Sequence, residues 1–291
     1  MDVSIIIVNY NTYDVTKNCI ESIFQYTHNI DFEVILVDNN SKDESYSIFS
    51  KDNRIIYLYQ ETNWGFGKAN NIGYKQAKGK YLFLLNSDTL FKSNAVKEFY
   101  DFMESCSSNI ACIGTILKDL NNNNIHSYGN FPTLISGLKW FTILGPIINK
   151  LGYKNVNEKH HSNFVDYITG ADLFIKKSIA EKYGLFDPDF FMYFEETEMQ
   201  YRFTKHGFKN YIYNTPQIIH LENYSMNNSY SNNLNKLSIS LTSYYLYLKK
   251  CKGRFNYYLF RLIFAIICPL WIIFPRYSLS NKLNFIKKAY L

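Results

Sequence analysis

Runs of apolar residues alternate with helically spaced segments along the first 120 positions or so. "VSIIIVNYN" (3–11) is a continuous β-branched run ended by Asn, the pattern of a strand buried on both faces. Val15, Cys19, Ile20, Ile23 and Phe24 then recur at helical spacing. "FEVILVD" (32–38), "RIIYLY" (54–59) and "KYLFLLN" (80–86) predict three further strands. Before the last of them, "GKANNIGYKQAKG" (67–79) predicts a short helix closed by Gly79. Ser93 is placed to cap a helix to about Cys106, and "IACIGTIL" (110–117) returns as a strand.

Strands alternating with helices predict an α/β fold, a mostly parallel central sheet with helices on both faces. Ligands of such sheets bind beyond the carboxyl ends of the strands. That directs attention to Asn9–Asn11, Asp38–Ser41 and Asn86–Asp88. Farther on, "KDLNNNNIHSYGN" is a polar loop, and "LISGLKWFTILGPIINKLGY" is apolar but broken by Gly and Pro, a lid or a membrane-facing hairpin. "FVDYITGADLFIKK" (164–177) reads as a strand pair with Gly170 at its turn.

With 47% hydrophobic and 19% charged residues over 291 positions, the chain is a folded one, in one large α/β domain or two smaller ones. The net charge of +6 is uneven: from Asn223 to Leu291 there are ten Lys or Arg and no Asp or Glu. The rest holds 21 basic and 25 acidic residues, a net of −4. No RNA-binding or helix-turn-helix signature accompanies the basic tail, so an anionic membrane surface, not nucleic acid, is the expected partner. Five cysteines without a CxxC pair argue against a disulfide framework or zinc site and fit a reducing compartment. Met1-Asp2 leads straight into the apolar run without a basic segment or a small-residue cleavage site, so that run reads as a strand and not a signal peptide.

Several constellations carry candidate chemistry, each with a plainer alternative. "VDNNSKDES" (37–45) sets Asp38 at a strand end, ready to accept from a nucleobase or ribose, or forming an ordinary Asx turn. In "NSD" (86–88) Asp88 suits a hard divalent cation, Asn86 is a weaker ligand or ribose contact, and the tripeptide is also a common turn. "ETNWGFGKANNIGYKQAKG" offers Asn63 and Lys68 to a ligand, with Gly65, Gly67 and Gly73 permitting close backbone approach; it is neither a phosphate loop nor a dinucleotide fingerprint. In "FMYFEETEMQYRF" (191–203), Glu198 and Arg202 are spaced to pair on one helical face. Glu196 points about 100° from Glu195 and faces a pocket while its neighbours face solvent. Near a helix start its charge is stabilised while surrounding aromatics raise its pKa, a combination suited to a general base. His220 ends a strand in "QIIHLEN" and is either structural or a ligand to the cation of Asp88.

Taken in order, "VSIIIVNYN", "VILVDNNSKDES", "NWGFGKANNIGYKQAKGKYLFLLNSD", "TGADLFIKK" with "GLFDPDFFMYFEETEMQYR", and "IIHLENYS" resemble the inverting nucleotide-sugar glycosyltransferases of glycosyltransferase family 2. The nearest branch is the rhamnosyltransferase-like enzymes of bacterial surface polysaccharide assembly. The resemblance runs from about Val3 to Ser225. It implies a GT-A fold over 1–222, with a nucleotide-binding half (about 1–90) and an acceptor-binding half (about 91–222); the basic, aromatic stretch 223–291 reads separately, from its own composition, as a helical membrane-attachment region. The resemblance also implies that Asn9, Asn11, Asp38 and Asn40 meet the nucleotide, and that Asn63, Gly65, Lys68, Asn70 and Asn86 belong to the donor-binding stretch. Asp88 is then the metal-binding Asp of a DxD-like motif, His220 a metal or diphosphate contact, and Glu196 the base, with Glu195 as the alternative base or its orienting neighbour. The implied cofactor is Mg²⁺ or Mn²⁺.

The activity implied is inverting transfer from dTDP-rhamnose or a UDP-hexose to a lipid-linked (polyprenyl-diphosphate) glycan, in polysaccharide, O-antigen or capsule assembly. Two departures stand out: the DxD position begins with Asn86, and the base is Glu where the family has Asp in an ED pair. The extra methylene moves the carboxylate by about 1.5 Å, and a misplacement near 1 Å can cost about 100-fold. These departures keep alive a catalytically inactive sugar-nucleotide-binding or scaffold protein. A nucleotidyltransferase would need a Gly-rich basic loop after the first strand, where "VNYNTYDVTKN" offers only Lys17.

In the tail, "FNYYLFRLIFAIICPLWIIFP" (255–275) is 21 residues, about 31 Å as a helix, against a bilayer core of about 30 Å. Arg261 interrupts it and Pro269 kinks it, while basic flanks from Lys249 to Lys288 favour a helix lying in the cytoplasmic leaflet. A true span and a buried or oligomer-forming helix are the alternatives. The expected location is the cytoplasmic face of the cell membrane, peripheral or monotopic.

Overall fold

The computed structural model describes residues 1–106, 108–151, 163–221, 230–273 and 278–290. The four apolar runs of the N-terminal part are strands β1 (Val3–Asn9), β2 (Phe32–Asp38), β3 (Ile55–Tyr59) and β4 (Tyr81–Asn86), all parallel, in the order β3-β2-β1-β4. Helices α1 (Tyr13–Tyr26), α2 (Ser45–Phe49) and α3 (Phe66–Tyr74) connect them. Alternation decides which residues meet which layer. Val3, Ile5 and Ile7 of β1 pack with Cys19, Ile20 and Ile23 of α1, whereas Ile6 packs with Ala69 of α3 on the other face. Both faces of β1 are therefore covered, and it, β2 and β4 are unbroken apolar runs, while β3 at the sheet edge is only partly buried. The register sets Asn9 beside Asp38 at the carboxyl edge.

Downstream, β5 (Thr89–Phe91), α4 (Ala95–Ser105), β6 (Ile110–Gly114), β7 (Tyr128–Gly129), α5 (Leu134–Phe141) and α6 (Gly145–Lys150) lead to β8 (Phe164–Val165), β9 (Tyr167–Ile168) and β10 (Asp172–Lys176). Then come α7 (Lys177–Tyr183), α8 (Glu195–Lys205), β11 (Lys209–Ile212) and β12 (Ile218–His220). The central sheet has eight strands, order β3-β2-β1-β4-β10-β6-β11-β8, with β10 antiparallel to both β4 and β6. The α/β layering with a mostly parallel sheet is as expected. The strand pair at 164–177 is not: β9 pairs with β7 and β10 enters the central sheet, so Gly170 turns the chain between two sheets.

Three local expectations also change. The strand begun at Ile110 ends at Gly114. Ser93 caps no helix; its hydroxyl donates to Glu98 and accepts from the Gln217 amide, and α4 starts after Asn94. Gly79 does not close α3, which ends at Tyr74 with Lys75 as its cap; a Cβ on Gly79 would lie 2.4 Å from the Ser4 nitrogen, so the glycine lets the chain cross β1.

The C-terminal region is helical: α9 (Tyr230–Tyr247), a π-helical turn Leu248–Lys252, α10 (Arg254–Ile267), a 3-10 turn Cys268–Ile273 around Pro269, and α11 (Leu279–Tyr290). It builds a third core from Leu241, Tyr244, Phe260, Phe264, Trp271 and Phe285, joined by Phe141 of α5 and by Phe190. The apolar segment read as a lid or membrane-facing hairpin thus forms α5 and α6, with α5 in this core, and its end lies outside the described residues. The opposite face of α10 and its continuation is bare: Phe255, Tyr258, Leu262, Ile266 and Ile273 are 62–77% exposed at helical spacing. Arg261 is turned toward the protein, donating to the Tyr257 hydroxyl at 2.7 Å and lying over the Tyr245 ring.

Candidate active site

A cavity of about 750 Å³ opens where β1 and β4 end. Tyr10 and Asp88 follow those strands into it, the Thr169–Ala171 turn forms part of its wall, His220 closes one side, and Glu195 and Glu196 enter from the start of α8. Asn63, Gly65 and Asn86 also line it. Asn9, Asn11, Asp38, Asn40, Lys68, Asn70, Glu198 and Arg202 do not.

The first four of those form a frame at the carboxyl edge of the sheet, with Asn9 and Asp38 buried and Asn11 exposed. Asn9 donates to the Ser45 and Ser41 hydroxyls at 2.8 and 3.0 Å and accepts from Thr12 and Thr16. Asp38 is fully buried; it accepts from the Ser41 amide at 2.8 Å and the Tyr57 hydroxyl at 2.7 Å. Asn11 and Asn40, both at positive φ, accept from the Lys42 amide and the Lys42 ammonium. These contacts hold the 38–45 loop against the end of β1.

The glycine-rich stretch makes its close approaches to protein. Gly65 has φ +79°, and a Cβ there would sit 1.9 Å from the Phe191 carbonyl oxygen, which accepts from the Phe66 amide. A Cβ on Gly73 would meet Ile6 at 2.6 Å, so this glycine seats α3 on the sheet. Lys68 lies over the Trp64 ring at 5.7 Å, and Asn70 donates to the Phe66 carbonyl within α3. Asn63 accepts from the Gly65 amide and from Asn39.

Antiparallel pairing of β12 with β5 sets His220 opposite Thr89 and next to Asp88. His220 Nε2 lies 3.1 Å from Asp88 Oδ1 and 3.3 Å from Asn86 Nδ2. One nitrogen cannot donate to the carboxylate and accept from the amide in the same tautomer, so this trio is incompletely satisfied as it stands. His220 Nδ1 is also buried without a hydrogen-bond partner among the described residues. No cage of three or more His, Cys, Asp or Glu forms among the described residues. A carboxylate and an imidazole nitrogen facing one point do fit a Mg²⁺- or Mn²⁺-like ion that takes its remaining ligands from phosphate oxygens and water.

At the start of α8, Tyr193 and Phe194 both have positive φ, 70° and 66°, a strained entry that aims the next two side chains inward. Glu195 and Glu198 do not face solvent as expected: they are 3% and 6% exposed, and Glu196 is the half-buried member. Burial, then the neighbouring Glu196 charge, holds the Glu195 carboxyl well above the usual carboxylate range. Its Oε2 has no partner among the described residues. Burial also pushes Glu196 up, to about 6, opposed by hydrogen bonds at the helix start. Glu198 is paired with Arg202 in bidentate fashion, at 3.0 and 2.9 Å, and Arg202 also donates to the carbonyls of Tyr183, Gly184 and Leu185.

Three of the cavity residues that sequence reasoning passed over stand out. Asn39 is buried, accepts from the Trp64 amide and donates to Asn63 and the Gly65 carbonyl, so it links the two loops that edge the cavity. The repeated Asn in "DNNS" was its only signal. Tyr167 lines the wall beside Glu196; burial, then that carboxylate, raises its phenol. Lys236 comes from α9, in a stretch read only for its charge.

The family model described as Glycosyl transferase family 2 matches residues 4–179, more than half of the chain. Glycosyltransferase GlyG of Streptococcus pneumoniae serotype 4 is 30% identical over 130 residues, 43% of this chain and 43% of that protein. UDP-Glc:alpha-D-GlcNAc-diphosphoundecaprenol beta-1,3-glucosyltransferase WfaP of Escherichia coli is 34% identical over 105 residues, 35% of this chain and 41% of that protein. The chain thus spans less than half the length of either relative. Among solved structures, GalNAc-T7 with UDP, GalNAc and Mn²⁺ superposes with a TM-score of 0.58 at 15% identity, covering 100% of this chain and 54% of that one, a likeness of fold.

Proposed function

Because the chain belongs to glycosyltransferase family 2, we propose that it moves a sugar from a nucleoside-diphosphate donor to a glycan acceptor, with Glu196 as base. The carrying observation is convergence: three separate segments bring Asp88, His220 and Glu196 to one cavity. In this reading the acceptor hydroxyl gives its proton to Glu196 as its oxygen bonds to the anomeric carbon. The bond from that carbon to the diphosphate oxygen breaks on the opposite face, and the nucleoside diphosphate leaves with the electron pair. The sugar is inverted in this single displacement.

Glu195, kept neutral by burial, leaves Glu196 as the ionised member of the pair near neutrality. Asp88 and His220 would hold a divalent cation, Mg²⁺ or Mn²⁺, which when bound supplies neutralisation of charge on the departing diphosphate. GalNAc-T7 with its Mn²⁺ and UDP, and WfaP with its UDP-Glc and diphosphoundecaprenol, support a UDP-hexose donor and a lipid-linked acceptor. dTDP-rhamnose is the alternative donor. Residues 1–222 would form the transferase unit, in the two halves given above, and 223–291 the attachment region. The bare apolar face of α10, in a tail of ten basic and no acidic residues, would lie against the anionic cytoplasmic face of the membrane. The segment Arg254–Ile273 is long and apolar enough to cross a bilayer. Its other face is packed in the third core, which favours a helix lying in the surface.

Titration calorimetry with UDP, dTDP and GDP, with and without Mn²⁺, tests the site. One nucleotide should bind in a metal-dependent way, and Asp88→Ala should lose that binding. A folded protein that binds none of them would be a scaffold and not a transferase. Glu196→Gln should keep donor binding and lose about 10²–10⁴-fold in transfer; full turnover in that variant would remove Glu196 from the role of base.

A further inference from the structure

Among the described residues that line the cavity, Lys236 supplies the one Lys or Arg side chain, against the carboxyl groups of Asp88, Glu195 and Glu196. It makes no ion pair or hydrogen bond within the described residues. Ile239, three residues on and on the same helical face, also lines the cavity. Ser243, a further turn along that face, donates to the Met192 carbonyl at 2.7 Å, just before the strained entry to the two glutamates. The Phe194 ring lies 5.6 and 5.9 Å from Tyr244 and Tyr247. On its other side α9 is fixed by Leu234 and Leu241 in the third core. Lys236 is therefore carried into the cavity by a helix anchored on both sides.

A diphosphate ester brings at least two negative charges into a space already walled by carboxyl groups, and such a ligand needs cationic partners there. Lysine serves phosphate as a compact point charge on a flexible stem. We propose that Lys236 is a diphosphate-binding cation of this site, so that the site is incomplete without the C-terminal helices. The inference rests on the transferase reading. Its ligand chemistry, a diphosphate ester, is shared by a nucleotide donor and a prenyl-diphosphate acceptor.

The test uses the full chain with Mn²⁺ and compares wild type, Lys236→Met and Lys236→Arg. Met keeps the apolar stem and removes the charge. The ligands are UDP, dTDP and GDP, their monophosphates, and farnesyl diphosphate, with melting curves to establish that each variant is folded. Lys236→Met should weaken the nucleoside diphosphate by about tenfold or more, the effect of losing one charged hydrogen bond. The matching monophosphate should change far less, and Lys236→Arg should recover most of the loss. Weakening confined to farnesyl diphosphate would assign the same contact to the acceptor. Unchanged affinity for every ligand in Lys236→Met would overturn the inference and leave the transferase reading standing. A wild-type protein that binds no nucleotide would overturn both.

Discussion

Glu195 and Glu196 are adjacent, and burial raises both carboxyls by different amounts. A base must be ionised, so the rate of transfer should rise as pH passes about 6, and a pH–rate profile that is flat from 5 to 8 would contradict the assignment. Stability should run the other way. A carboxyl whose folded pKa lies above its unfolded value holds its proton more tightly in the folded state, so stability is lost as pH rises above the ordinary value of 4.5. Replacing Glu195 by Gln removes that cost; the variant should melt higher than wild type at pH 8 and close to it at pH 4, read by thermal unfolding at both. The three-glutamate run was visible in the sequence, and so was its helical spacing. Which side of the helix met protein was not, because an angle between neighbours fixes only relative directions. A Cβ on Gly67 would lie 3.5 Å from the Glu195 side chain and one on Gly170 4.0 Å from Glu196, so two distant segments decide the burial.

At the level of elements, unbroken apolar runs were enough to place β1 to β4, since parallel strands covered on both faces leave that signature. The insertion of β10 between β4 and β6 left none, because its partners are 50 to 100 residues away and its own run looks like any other. Local rules also misplaced the roles of Ser93 and Gly79, whose side chain and missing side chain serve neighbours distant in sequence. Helix α8 depends on one arginine: Arg202→Ala would strand the buried Glu198 and free three carbonyls of the 183–185 turn. A loss on the order of 3 kcal/mol is expected, measured by urea unfolding. Gly65→Ala should be as damaging to nucleotide binding as to stability, since its Cβ and the Phe191 carbonyl cannot share the same space.

For the whole molecule, the uneven charge was plain in the sequence, whereas the role of the tail in the cavity was not. Charge counting treats 223–291 as an appendage, and only packing reveals α9 beside the loop that leads into Glu195 and Glu196. Replacing Leu262 and Ile266 by Gln should reduce co-sedimentation with anionic vesicles, each exposed side chain contributing about 1.5–3 kcal/mol if fully buried in lipid. Unchanged sedimentation at low and high salt would rule out this face. The shared third core has a practical consequence for anyone preparing the protein. Cutting the chain after residue 222 to obtain a soluble catalytic fragment would uncover Phe141, Phe190 and Phe194, and would release the loop that aims both glutamates. Such a fragment should precipitate or fail to bind nucleotide. Solubility is better sought by leaving every helix in place and making only the outward face of α10 polar.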